Sequence, residues 1–384
     1  MITLFEKTSE CCGCSACSAV CPKNAISMAA DEKGFLYPSV DESKCVECGM
    51  CKRVCPVQTD FSAEKYTQNS YALKNADEKE SKSSSSGGVF IELARAALNK
   101  GGVVYGASFT EDFKVIHIRA ATAEELERLK TSKYVQSDMN NIYRLVKADL
   151  VSGIPVLFSG TGCQVQGLKK FLAKPYENLF CVDIICHGVP SQKVFDDYLC
   201  GMEKKYKSKA VSVNFRGKAK KNSTKDMLIH FENGKIYSSV PSLDSYYSFF
   251  AKDFMLRDSC HKCVFSSKKR AGDITIGDFP GIEKLCPEFS DNKGVSLLIT
   301  NTPKGEQLFT EVKSAFIVKQ TPFEKSAIQQ ALNHPAAKPQ KSEIFWDTYL
   351  SKGYDGCVKK LHSLPKLRFF VKNVKLKLLL LNKK

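Results

Sequence analysis

Two runs of cysteine constrain this chain more than any other feature. Cys11, Cys14, Cys17 and Cys21 follow the spacing C-x2-C-x2-C-x3-C with Pro22 next, and Cys45, Cys48, Cys51 and Cys55 repeat it with Pro56 next. A C-x2-C-x2-C loop wraps three corners of an iron–sulfur cube, and in two-cluster ferredoxins the fourth thiolate ligates the other cube. That rule assigns Cys11, Cys14, Cys17 and Cys55 to one 4Fe–4S cluster and Cys45, Cys48, Cys51 and Cys21 to a second, leaving Cys12 spare. Each proline turns the chain away, since it cannot continue a regular hydrogen-bond pattern. Small residues between the ligands, such as Gly13, Ala16 and Gly49, suit a backbone packed against a cluster. Zinc prefers two separated cysteine pairs. The expectation for residues 1–60 is a bacterial-type two-cluster 4Fe–4S ferredoxin-like domain, with a hairpin at Gly34 and Phe35–Pro38 between its halves.

Nine of the 17 cysteines lie between Cys11 and Cys55. The first residues, MITLFEKTSE, lack a signal core, and no apolar window reaches membrane-spanning length, so a cytoplasmic location is expected. A reducing compartment makes metal or redox work the default use of so many thiols. The net charge of +16 is local: nine basic residues and no acid lie between Lys204 and Lys225, and again between Val358 and Lys384. The first run, with Lys218, Lys220 and Lys221, reads as solvated surface or as a lure for an acidic electron donor such as ferredoxin. No base-stacking motif accompanies the lysines, so no nucleic-acid role is expected. From Pro365 onward Leu367, Phe370, Val371, Val374, Leu378 and Leu381 fall on one helical face, with Arg368, Lys372 and Lys375 elsewhere. Such a tail can lie on the inner face of a membrane or dock on protein.

Residues 61–80 read as a linker. Then Val89–Asn99 reads as a helix ended by Gly101, Val103–Phe109 and Val115–Ala120 as strands, and Ala123–Lys130 and Ile142–Leu150 as helices. Two strand–turn–helix units follow. Strand Pro155–Phe158 leads through a turn at 159–164 to a helix at 165–172, and strand Leu179–Ile185 leads through a turn at 186–191 to a helix at 192–206. This alternation implies parallel pairing, with ligands beyond the strands' carboxyl ends. Cys163 and Cys186 should meet there. Beyond Val211 the period becomes two, with an Asn233–Gly234 hairpin signal, further strands at Asp273–Phe279 and Val295–Thr300, and a helix at 305–312.

Beyond the cysteine runs, further motifs carry a resemblance. They are Ser84-Ser85-Ser86-Gly87-Gly88-Val89-Phe90, Ser132-Lys133-Tyr134-Val135-Gln136-Ser137, Gly160-Thr161-Gly162-Cys163-Gln164 and Cys186-His187-Gly188-Val189-Pro190-Ser191. The last are Arg257-Asp258-Ser259-Cys260-His261-Lys262-Cys263 and Gly272-Asp273-Ile274-Thr275-Ile276-Gly277-Asp278-Phe279. In this order the chain resembles the coenzyme F420 hydrogenase/dehydrogenase beta-subunit family over about residues 8–320. The resemblance implies an α+β protein: the ferredoxin-like domain, then an α/β flavin-binding domain with mixed sheets over 81–330, and a C-terminal extension over 331–384. It implies FAD, which exchanges single electrons with the clusters and hydride with a small organic substrate or deazaflavin. The reading is an iron–sulfur flavin-dependent oxidoreductase, with surface-polysaccharide metabolism as the family association. The alternative is a non-catalytic electron-transfer subunit of a larger hydrogenase/dehydrogenase-type complex. Members usually carry proline at the position of Gly162 and an aromatic at that of His261, and often tryptophan at that of Pro280.

Site expectations follow. Ser84, Ser85, Ser86, Gly87 and Gly88 precede a helix start, where free N–H groups favour an anion such as a flavin pyrophosphate. Lys133, Tyr134, Gln136, Ser137, Gly160, Thr161 and Gln164 would surround the flavin, with Lys133 as a fixed positive charge. Cys163, Cys186, Cys260 and Cys263 would hold a third 4Fe–4S cluster, against the plainer reading of buried free thiols. His187 is the candidate catalytic residue, its unperturbed pKa suiting proton delivery.

Overall fold

The computed structural model describes residues 2–59, 61, 66–218, 226–290 and 294–362. Ile26–Ala30 (β1) and Leu36–Val40 (β2) form the expected antiparallel hairpin, turning at Gly34 with φ +82°. A Cβ on Gly34 would stand 2.4 Å from Lys193 Cβ, so the turn is pressed against the rest of the protein.

Eleven more strands follow: Asn69–Asn75 (β3), Val103–Phe109 (β4), Val115–Ala120 (β5), Val156–Thr161 (β6), Leu179–Ile184 (β7), Ala210–Gly217 (β8), Asp226–Phe231 (β9), Ile236–Ser239 (β10), Ile274–Asp278 (β11), Ser296–Thr300 (β12) and Phe316–Thr321 (β13). Eight form one sheet in the order β13-β3-β12-β11-β7-β6-β4-β5, and β10-β9-β8 form a smaller antiparallel one. In the large sheet β4, β6, β7 and β11 pair in parallel and the remaining pairs are antiparallel. The parallel centre is buried on both faces, which explains the unbroken apolar run Val156–Phe158. Thr161 is in register with Ile184, and Ile184 with Ile276, so three strands end at one edge. The helix Val89–Asn99 starts at Gly88, whose φ of +75° suits glycine, and buries Val89, Ile91, Leu93, Ala94 and Ala97.

The structure corrects four sequence expectations. The supposed linker supplies β3, between β13 and β12, and the helix Glu78–Ser83. Its polar residues are paired rather than solvated: the Ser70 hydroxyl donates to the Thr321 carbonyl at 2.8 Å. The turn expected at 159–164 is absent. β6 runs to Thr161 and a helix starts at Gly162, because Gln164 Oε1 accepts the Thr161 N–H at 2.9 Å and caps the junction. The C-terminal extension is part of the core through the helical segment Gln340–Leu361, broken at Gly353, which buries Phe345, Trp346, Tyr349, Tyr354 and Cys357. Finally, the basic run is not all surface, since Arg216 and Lys218 turn inward. The tail from residue 363, with its amphipathic pattern, lies outside the described residues, as do Lys220 and Lys221. Among the described residues no helix is long and apolar enough to cross a membrane.

The cysteine-rich segment is seated on the larger body. Trp346 meets Phe35 edge-on at 5.8 Å, Thr8 Oγ1 donates to Asp258 at 2.8 Å, and Arg144 donates to the carbonyls of Ala19 and Cys21 at 2.8 and 3.2 Å. Trp346→Ala should cost about 3–5 kcal/mol by leaving a cavity under the hairpin. A clear fall in the midpoint of chemical denaturation is the expected result.

Candidate functional site

Cys21 lines one small cavity with Cys45, Cys48 and Cys51. Cys48 is exposed and Cys51 buried, so this set lies near the surface. Burial pushes the Cys17 thiol up to about 12, and nearby Cys11 and Cys55 add to the shift. Burial also raises Cys11, with Arg257 opposing and Cys55 adding. The fourth thiol of each run therefore stands with the other run. The first set faces inward: Cys14 is buried, and a Cβ on Gly167 would lie 3.1 Å from its Sγ.

A third group of thiols gathers where β6 and β7 end. Cys163 lies in the first turn of the helix after β6, Cys186 just after β7, and Cys260 and Cys263 at a short 3-10 turn. All four line one cavity, joined by Cys12. Burial drives Cys186 up to about 12, with Cys163 and Cys263 adding and Arg270 opposing. The mutual shifts mean that four thiolates here would repel one another unless metal cations lay among them, which fits a cluster site. Among the described residues no three Cys, His, Asp or Glu side chains converge as ligands of a single ion; the corners of a cube require no such common point. Arg270 is anchored by the fully buried Asp183 at 2.9 Å and donates to the Phe265 carbonyl at 2.8 Å, fixing the loop after Cys263. Cys12 stands close to both Cys14 and Cys163, so the first set adjoins the third.

Beside this group opens a cavity of about 390 Å³, within the roughly 300–1,000 Å³ usual for cofactor and ligand pockets. Its walls include Ser84, Ser85, Ser86, Gly88, Lys133, Tyr134, Ser137, Gly160, Thr161, Gln164 and His187. Two expected residues are not in its lining. Gly87 packs behind the loop, its N–H donating to Ser296 Oγ at 2.8 Å. Gln136 turns toward the cysteine-rich segment, donating to the Cys12 carbonyl at 3.2 Å.

The serine loop is held by two basic side chains, one of which, Arg216, also lines the cavity with its partner Asp278. Arg216 forks onto Asp278 at 2.7 and 3.0 Å and donates to the Ser85 carbonyl at 3.0 Å, while Lys218 donates to the carbonyls of Ser81 and Ser86 at 2.5 and 3.2 Å. With those carbonyls engaged, the N–H groups of the first turn after Gly88 remain without intrahelical partners, as an anion site requires. Lys133 departs from the expected fixed charge. Burial pushes its amine down to about 7, although Nζ donates to the carbonyls of Arg128 and Lys130. Its charge therefore depends on what occupies the cavity.

His117, which nothing in the sequence singled out, lines the same wall on β5. Its ring lies between the Ser159 carbonyl, 3.1 Å from Nε2, and the Ser137 hydroxyl, 2.9 Å from Nδ1, and Gln164 Nε2 donates to Ser137 at 2.9 Å. Burial keeps the imidazole neutral, and since the carbonyl requires the proton on Nε2, Nδ1 accepts from Ser137. His187 Nε2 is 2.5 Å from Asp253 Oδ1. His187 lines both cavities, which share a wall of Thr161, Cys186, His187, Gly188 and Val189.

Residues 155–326 match the family described as the C terminus of the beta subunit of coenzyme F420 hydrogenase/dehydrogenase. Residues 10–59 match the 4Fe–4S dicluster domain. Among solved structures the chain is similar to one from the F420-reducing [NiFe] hydrogenase complex of Methanosarcina barkeri, at 17% identity. That match covers 79% of this chain and 94% of the other, with a TM-score of 0.45. No curated protein matches.

The buried polar wall has a measurable pH signature. Burial holds the His117 imidazole down at about 4, below the ordinary 6.5, so the unfolded chain takes up a proton that the folded one refuses. Its contribution to stability is complete above about pH 6.5 and is lost toward pH 4, by up to about 1.4 kcal/mol per pH unit. His117→Gln should flatten that part of the stability–pH curve, measured by denaturation across pH 4–7.

Proposed function

For a chain that joins a 4Fe–4S dicluster domain to the C-terminal domain of the coenzyme F420 hydrogenase/dehydrogenase beta-subunit family, we propose the role of an iron–sulfur flavoprotein oxidoreductase. Cys11, Cys14, Cys17 and Cys55 would hold one 4Fe–4S cluster, Cys21, Cys45, Cys48 and Cys51 a second, and Cys163, Cys186, Cys260 and Cys263 a third. The 390 Å³ cavity would hold a flavin such as FAD. The observation that carries this reading is the wall common to the third thiol group and that cavity. A flavin there supplies the exchange between single-electron and two-electron transfer that clusters cannot make.

The chain's own residues have distinct tasks. Arg216 and Lys218 hold the serine loop so that the helix start at Val89 can receive a pyrophosphate. The Ser137–His117–Gln164 network keeps the inner wall neutral and rigid. Tyr134, stacked on Phe250 at 4.6 Å, offers an aromatic side to the ring system. Lys133 gains a proton when an anion lies near it, and Asp253 orients His187 for proton delivery at the ligand cavity. The exposed second thiol set suits single-electron exchange with a ferredoxin or other redox protein, and a small organic substrate or deazaflavin would take or give electrons at the flavin.

Protein purified and reconstituted without oxygen should contain about twelve irons per chain, matched by sulfide, and bind flavin. About eight irons would remove the third cluster, and no flavin would remove the cavity assignment. Gly88→Asp, which sets a carboxylate beside the pyrophosphate position, should lower the flavin-to-protein ratio at least tenfold without changing the iron content.

A further inference from the structure

Arg257 has 0% exposure, the largest of the fully buried side chains. Its guanidinium crosses into the cysteine-rich segment. Nε donates to the Cys11 carbonyl at 2.8 Å, Nη2 to the Leu36 carbonyl at 3.0 Å, and Nη1 to Gln136 Oε1 at 3.1 Å. Nη2 also lies 3.7 Å from Cys11 Sγ, and the group stacks 4.0 Å from the centre of the Tyr37 ring. Gly13, with φ +69°, makes room, since a Cβ there would stand 3.0 Å from the guanidinium carbon.

The other two buried arginines have acids: Arg216 has Asp278, and Arg270 has Asp183. Among the described residues no carboxylate forms an ion pair with Arg257. A buried charge without a counter-charge is strongly unfavourable. The group its fork meets besides neutral carbonyls and an amide is the sulfur of Cys11. A 4Fe–4S cluster with four thiolates is an anion, and becomes more so on reduction.

We propose that Arg257 is the counter-charge of the cluster held by Cys11, Cys14, Cys17 and Cys55. It offsets the burial that would otherwise make this site harder to reduce than the exposed one on Cys21, Cys45, Cys48 and Cys51. Net charge, hydrogen bonds to sulfur and solvent exposure are the levers on cluster potential, and the guanidinium acts through the first two. One electron exchanged between the two sites reduces one and oxidises the other, with no bond or proton changed, so their relative potentials alone decide where it rests.

This proposal depends on the iron–sulfur reading above, and its test separates the two. Wild type, Arg257→Gln, Arg257→Lys and Gln136→Glu are reconstituted anaerobically, counted for iron, and titrated with the reduced clusters followed by electron paramagnetic resonance. Arg257→Gln should lower the reduced-to-oxidised ratio of one cluster at least tenfold at fixed poise, a 59 mV shift for one electron, and leave the others within twofold. Arg257→Lys should stay within about threefold of wild type. Gln136→Glu, which keeps the guanidinium but places a carboxylate on Nη1, should shift the same cluster the same way, and decides the matter if Arg257→Gln fails to assemble. Equal shifts for the Gln and Lys variants, or no shift in either Arg257→Gln or Gln136→Glu, would overturn the proposal. A wild type without iron and sulfide would instead overturn the cluster reading.

Discussion

The close seating of the cysteine-rich segment on the carboxyl edge of the large sheet is the contact on which the rest of the site depends. It is made by residues chosen for proximity. Gly167 lets a helix approach Cys14, Gly13 admits the Arg257 guanidinium, and Cys12 stands close to both Cys14 and Cys163. Electron transfer weakens steeply with distance, so thiols on two distant stretches of chain are useful together only if the backbones between them are bare. The hydrogen bonds from Arg144 and Arg257 to carbonyls of the segment hold that approach without placing bulk in it.

The second organising constraint is electrostatic. Three arginines are buried among the described residues, and each stands at a different part of the site: Arg257 at the first thiol set, Arg270 at the third, and Arg216 at the serine loop in the cavity wall. Two have carboxylate anchors that fix their planar forks, which orients backbone carbonyls rather than leaving them to turn inward. The ligand cavity itself is lined mostly by neutral groups, with His117 uncharged and Lys133 only conditionally charged. The cations that do enter the lining, Arg216 and Lys130, are paired with Asp278 and Glu80.

Much of this was legible in the residues. The helices Val89–Asn99 and Gln192–Tyr206 and the strands Val103–Phe109 and Val115–Ala120 have the boundaries that periodicity and glycine punctuation indicated. Most of the motif segments line one cavity, and the segment Arg257–Cys263 lines the thiol cavity beside it. What escaped was decided by tertiary partners. β3 reads as polar linker because Ser70 finds its partner on the neighbouring strand, at Thr321, and Asn69 and Asn75 find theirs on helices, at Glu306 and Glu92. His117 looks like any residue on an alternating strand until Ser137 and Gln164 are placed around it. Arg216 and Lys218 sit in a lysine-rich stretch whose composition suggests solvent, and the turn expected at 159–164 vanished because a glutamine side chain capped the strand-to-helix junction. Gln136, grouped by its motif with the cavity, instead joins Arg257 and Cys12 because the next layer of chain lies there.

The partition between the thiol-lined chamber and the larger one restricts how such a protein can diversify. Thr161, Cys186, His187, Gly188 and Val189 each face both chambers, so a change there made to suit a new ligand would disturb the sulfur side at the same time. The far walls, including Phe90, Leu129, Phe250 and Gln329, line only the ligand side. Ligand preference is therefore free to drift at the rim opposite the thiols while the septum stays fixed, and related chains could serve different acceptors from one unaltered inner face.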